Sequence, residues 1–183
     1  KGVVAAPQEA PKGIVASVLL GTVLVLGVAN VAIVQKERIL SDGQTVLLEL
    51  APVDPRSLMQ GDYMALNFAA SREVTRLRLG GENRPEPDSL LGYEPDGYVM
   101  LARDERGVSQ PLRIQPEVHP HTDAEVPLRY RVRNNGVRIV TNAYFFPEGQ
   151  AKRYEVARYG ELRVADNGEA LLVRMLGEDL QPL

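Results

Sequence analysis

The sequence contains no cysteine. That removes disulfides, thiolate metal sites and cysteine nucleophiles together, while leaving the compartment open, because reducing and oxidising spaces both hold cysteine-free proteins. It also lacks a cationic excess. Lys and Arg number 21 against 24 Asp and Glu, for a formal net charge of −3. No broad basic face points to nucleic acid, and none is expected as a partner. Histidine is scarce, with two residues, His119 and His121. No phosphate-cradling P-loop, dinucleotide glycine fingerprint or Ser-His-Asp framework can be found. What is present is 183 residues, 44% hydrophobic, enough for one domain and an additional segment. Residue 1 is Lys rather than Met, which reads as a processed or truncated chain.

One long uncharged run stands out. Gly13 to Val34 reads GIVASVLLGTVLVLGVANVAIV. As a helix it would extend about 33 Å, close to the ~30 Å hydrocarbon core of a bilayer. Lys12 precedes it, and Lys36 and Arg38 follow, so both ends carry cations able to reach headgroups. A buried core helix would need apolar partners on every face. A cleaved signal peptide usually has an apolar stretch of only about 7–15 residues. The run therefore predicts a single transmembrane helix over 13–34, with the lipid bilayer as its surroundings. It follows a tail over 1–12 and precedes a polar linker over 35–44. The helix is expected to continue to about Leu40, with Ser41-Asp42-Gly43 ending it. Ser17 and Thr22 are expected to bond back to the helix, and Asn30 to reach the interface. Gly13, Ser17 and Gly21 recur every four residues, a small-xxx-small stripe along which a second helix can pack. The flanking cations tie, so the positive-inside rule leaves the orientation undecided.

The texture beyond residue 44 is that of strands and turns. Thr45–Leu50 and Tyr63–Phe68 read as strands, and Ala69–Leu79 fits either a short helix or a charged edge strand. Gly80–Gly97 and Gln115–Pro127 read as loops. Three tight-turn signals follow. Asp104-Glu105-Arg106-Gly107 lies between Tyr98–Arg103 and Val108–Ile114. Asn134-Asn135-Gly136 lies between Leu128–Arg133 and Val137–Thr141. Asp166-Asn167-Gly168 lies between Glu161–Ala165 and Glu169–Leu176. Asn and Gly tolerate the positive φ that such turns require. Ala151–Tyr159 reads as a short helix. The expected architecture over 45–183 is mainly β: an antiparallel, β-rich domain with one or two short helices. Along Leu128–Arg133 the residues Leu128, Tyr130 and Val132 share one face, and Arg129, Arg131 and Arg133 the other. This is the pattern of a sheet with one solvated side.

The densest phrase is DPRSLMQGDYMALNF, residues 54–68. Pro55 fixes its own φ and pushes Asp54 toward extended backbone. Asp54 and Asp62 can organise turns, and Gly61 can adopt a φ that other residues resist. Tyr63, Ala65 and Asn67 then alternate with Met64, Leu66 and Phe68 on opposite faces. The phrase reads as strand, structured corner, strand. From Gly61 to Phe68 it resembles the signature of the GDYXXLXY proteins, with Phe68 in place of the final tyrosine, so the ring is kept and its hydroxyl lost. Pro52–Leu58, Tyr144–Gly149 and the strand near Ala170–Leu176 resemble the same family, in order. The resemblance implies a single-span bacterial membrane protein with an exported domain, in the cytoplasmic (inner) membrane with its C-terminal domain periplasmic. Relatives are often encoded beside, or fused to, multi-span membrane proteins, which implies a membrane-protein partner. It implies no catalytic residue.

The expected role is a membrane-tethered, non-catalytic interaction domain, an accessory subunit or partner of a multi-span envelope protein, without cofactor. Its signature corner and docking surface comprise Pro52, Asp54, Pro55, Arg56, Gly61, Asp62, Tyr63, Leu66 and Phe68. Arg56 is the expected recognition group, because its planar fork suits carboxylates. The alternative is an envelope enzyme. Ser57 resembles the region around a signal-peptidase serine, with Lys152 as base. That pairing needs a desolvated amine, and AKRYE around Lys152 is a charged stretch. His119 and His121, with Glu117, Asp123 and Glu125 close by, would serve Zn or Cu if their nitrogens converged. A solvated loop is the expected state there. The sequence names no small-molecule ligand.

Overall fold

A computed structural model describes residues 12–51, 63–80, 96–133 and 136–183. The chain divides into two compact units, Lys1–Arg38 and Ile39–Leu183.

The first unit is the greater part of helix α1 (Lys12–Asp42). Its apolar run holds no proline to break it. Every described side chain from Ala16 to Arg38 is exposed. Ser17 Oγ donates to Gly13 O at 2.9 Å, Thr22 Oγ1 to Val18 O at 2.9 Å, and Asn30 Nδ2 to Leu26 O at 2.8 Å. All three polar side chains are thus satisfied by the helix's own carbonyls, Asn30 included, so it does not depend on an interface. The helix is long and apolar enough to cross a membrane. It ends at Gly43, whose N–H donates to Ile39 O. Most of the interval expected as a linker, 35–44, is therefore helical. Polarity and helix propensity are separate properties, and QKERIL has both.

The second unit is β-rich, with antiparallel sheets. Strand β1 (Gln44–Glu49) leads to the short strand β2 (Tyr63–Ala65), helix α2 (Ala69–Gly80), and strands β3 (Gly97–Arg103), β4 (Ser109–Gln115), β5 (Glu125–Arg133), β6 (Gly136–Ile139) and β7 (Ala143–Phe145). Helix α3 (Ala151–Tyr154) and strands β8 (Tyr159–Val164) and β9 (Ala170–Leu176) complete it. The strands form three sheets, ordered β1-β8-β9, β2-β7 and β4-β3-β5-β6. All three tight-turn signals join neighbouring antiparallel strands. At the last, Gly168 has φ +78° and its carbonyl accepts from Arg129 N at 2.9 Å, tying the β8–β9 hairpin to β5.

Some expected boundaries differ, and of the two readings left open for Ala69–Leu79, helix is the one found. Ala70, Ser71, Val74 and Arg78 are its buried positions, a spacing of three to four that a strand cannot present to one face. β5 begins at Glu125 rather than Leu128, so Pro127 lies inside a strand. It is accommodated because β6 pairs only with Tyr130–Arg133, leaving Pro127 with one neighbouring strand, at Met100. α3 stops at Tyr154, and Tyr159 already belongs to β8. The core draws on both larger sheets and α2, with Val46, Leu48, Phe68, Val74, Leu101, Leu128, Tyr130, Leu162 and Met175 buried together.

Candidate functional site

The expected signature corner falls mostly outside the described residues: Pro52, Asp54, Pro55, Arg56, Gly61 and Asp62 lie there, and so does Ser57. Tyr63, Leu66 and Phe68 are described. Burial along Tyr63–Phe68 alternates as the sequence predicts, with Met64, Leu66 and Phe68 buried and Tyr63, Ala65 and Asn67 exposed. Ladder pairing nevertheless stops at Ala65, because the chain then turns to meet two different strands. Leu66 N donates to Asn142 O at 2.6 Å, and Ala51 N donates to Asn67 O at 2.7 Å. Phe68 bridges Leu50 at the end of β1.

This geometry brings two separate motifs of the sequence into one place. β2 pairs with β7 in the register Tyr63–Phe145, Met64–Tyr144 and Ala65–Ala143. Tyr63 and Phe145 meet on the outer side, ring centroids 5.6 Å apart and planes tilted by 40°, and Phe145 is 75% exposed. On the inner side Tyr154 of α3 receives the edge of Tyr144 at 5.2 Å and stacks on Phe146 at 5.0 Å. Burial, reinforced by a hydrogen bond with Tyr154, raises the Tyr144 phenol above its ordinary pKa. Aromatic pairs of this kind contribute about 0.5–1.5 kcal/mol beyond their buried area. Phe145, missed as a surface group, had a readable signal: in Tyr144-Phe145-Phe146 an extended backbone can send only alternate rings inward.

Phe68 is buried at 1% exposure. A Cβ placed on Gly160 would lie 3.1 Å from its Cε1 and 3.1 Å from Leu172 Cδ1. The ring packs against the bare backbone of Gly160. Beside it, a groove of about 380 Å³ is bounded by Ala65–Phe68, Ser71 at the start of α2, and Gly136–Ile139, Thr141 and Asn142. Arg138 is the one titratable group among those lining residues. The groove's described lining offers hydrogen bonds, without a nucleophile and base side by side.

The other candidates are spread apart. Lys152 is exposed on α3. His119 and His121 stack, centroids 4.8 Å apart and planes 26° from parallel. Imidazole lone pairs lie in the ring plane, so near-parallel rings do not aim both nitrogens at one cation. Among the described residues no group of three or more metal-ligating side chains forms. Glu125 is committed elsewhere. It pairs through both oxygens with Arg113, Oε2 lying 3.1 Å from Nη2, and accepts from Thr122 N at 2.9 Å. The Arg113 hydrogen bond, helped by Thr122, holds its carboxyl down at about 2. Arg113 also donates to Pro120 O at 3.3 Å, so this pair holds the histidine loop at Pro120 and Thr122. His121 Nδ1 is buried without a hydrogen-bond partner among the described residues.

A family model described as GDYXXLXY protein matches residues 25–175. No curated protein and no solved structure matches the chain.

Proposed function

We propose that this chain, which belongs to the GDYXXLXY family, is a membrane-tethered, non-catalytic interaction module acting as an accessory subunit of a multi-span protein in the bacterial cell envelope. The observation that carries the reading is the continuity of α1. One unbroken helix leaves an apolar run and delivers the chain, at Gly43, straight into the first strand of a packed domain. In this reading residues 13–34 lie in the cytoplasmic membrane. The second unit then lies on the periplasmic side of that membrane. A head held at the bilayer surface meets membrane partners at a high effective concentration, so weak surfaces suffice. The Gly13-Ser17-Gly21 stripe gives a neighbouring helix a close approach. The β2–β7 ribbon, with Phe145 and Tyr63 outward, offers an aromatic contact of the kind enriched at interfaces.

The test is purification of the full chain from native membranes in mild detergent, with stoichiometry by mass spectrometry. A multi-span protein retained at fixed ratio, and lost on Phe145→Asp, is the expected result. A lone chain, or one that cleaves substrate and loses that activity on Ser57→Ala or His121→Ala, would overturn the reading.

A further inference from the structure

We propose that the outer face of the β5–β6 hairpin is a receptor for an acidic, extended segment of a partner protein. Arg131 and Arg138 are register partners across this hairpin. Val132–Val137 and Tyr130–Ile139 turn inward, so the two arginines share the outer face, and both are exposed. Like charges directly opposite one another in an antiparallel pair are destabilising. Among the described residues neither guanidinium has an acceptor. Arg129 and Arg133 flank them at alternate positions of β5, completing a four-arginine patch on a chain whose net charge is negative.

The face already shows which chemistry it takes. Asp96 sits at its other margin. Its Oδ1 is 3.0 Å from Arg133 Nη1 and accepts from Val132 N at 3.2 Å, and its Oδ2 is 3.7 Å from Arg129 Nη2. One carboxylate therefore serves the two outer arginines, and the central cross-strand pair is left facing solvent. Planar guanidinium forks bind carboxylates bidentately. An extended chain carrying Asp or Glu at every second residue repeats at about 6.8 Å on one face, the same interval at which β5 presents its arginines. The reading rests on the interaction role proposed above and specifies the partner's chemistry.

The probe is a short fluorescein-labelled peptide with glutamate at alternate positions, titrated against the full chain in mild detergent at low salt. Its glutamine counterpart and monomeric short-chain phosphatidylglycerol are the comparison ligands. An exposed ion pair is worth up to about fivefold in affinity. The Arg131→Glu/Arg138→Glu double variant should therefore weaken the glutamate peptide about tenfold or more, once repulsion is added. The Lys152→Glu/Arg153→Glu variant matches its charge change and should bind as the parent does. Arg138→Glu alone sets a carboxylate opposite Arg131, so it should melt at a higher temperature while binding the peptide less well, which separates lost binding from lost folding. No peptide binding, equal binding by the double variant, or a reversal-sensitive site that takes phosphatidylglycerol alone would overturn the proposal. Peptide indifference together with a retained multi-span partner would sink this inference and leave the accessory role standing.

Discussion

Leu24 in α1 is 64% exposed and Leu101 in β3 is 0% exposed, although both belong to apolar runs of similar composition. The difference is one of solvent. Leu101, paired across the sheet with Val126 and Pro111, is removed from water within the core, which at about 25 cal/mol per Å² is the main source of the domain's stability. From Val18 to Val34, large apolar side chains stay 43–70% exposed within the protein. The polar side chains there bond to carbonyls four residues earlier. A segment that satisfies its polar groups internally and presents hydrocarbon outward suits lipid rather than water. The two regions use one residue vocabulary for opposite ends: one buries apolar surface in itself, the other offers it to its surroundings.

The sharpest way to break that comparison is to place the same charge in both. Leu101→Arg buries an unpaired guanidinium and should leave no folded domain by circular dichroism. Leu24→Arg should leave the domain's melting temperature unchanged and instead impair membrane integration, at about 2.5–3.5 kcal/mol for a mid-helix arginine. Alkaline carbonate extraction and thermal unfolding read the two effects separately. Truncation gives a milder version. Leu101→Ala should cost about 2–5 kcal/mol in domain stability, and Leu24→Ala close to none. If Leu24→Ala destabilised the domain as Leu101→Ala does, α1 would be a core element and the contrast would vanish.

How far the sequence could be read follows the same physical division. α1 was legible because its signal is local: an uninterrupted apolar run of one length admits few structures. The three hairpins were legible because their turn signals are local, and at two of them the closing glycine, Gly107 or Gly168, takes the positive φ that such turns favour. The pairing of Tyr63–Ala65 with Ala143–Phe145 was not, since nothing within either segment names a partner some eighty residues away. The same holds for the rest of the candidate site. The Arg129/Arg131/Arg133 alternation was visible as a wet face, but Arg138 joins it only through a register that no single strand contains. Phe68 belongs to this non-local class. Its ring packs against Gly160, where an added Cβ would lie only 3.1 Å from Phe68 Cε1. Gly160→Ala should crowd Phe68 and Leu172 and cost about 1–3 kcal/mol in chemical unfolding. The same change at Gly27, where a Cβ meets nothing within 4 Å, should cost nothing measurable.

The smallest expected effect lies at a partly buried ion pair beside the histidine loop. The Glu125 carboxyl is held at about 2 by the Arg113 hydrogen bond and then by Thr122, against an ordinary value of 4.5. Because the folded value is depressed, the contribution is fully present above about pH 4.5 and is lost as pH falls through the window down to about 2. What is lost first is local. Protonation releases Arg113, which also holds Pro120 O, and frees Thr122 N–H. Protection of the Thr122 amide, its exchange corrected for the intrinsic rate at each pH, should therefore fall across that window, ahead of protection at Leu128 in the buried stretch of β5. Glu125→Gln should show the lower Thr122 protection already at neutral pH and remove its dependence on acid. A Thr122 amide that ignores both the acid and the substitution would mean that the 116–124 segment is ordered by something other than this pair. The stacked histidines would then be held in place without the clasp.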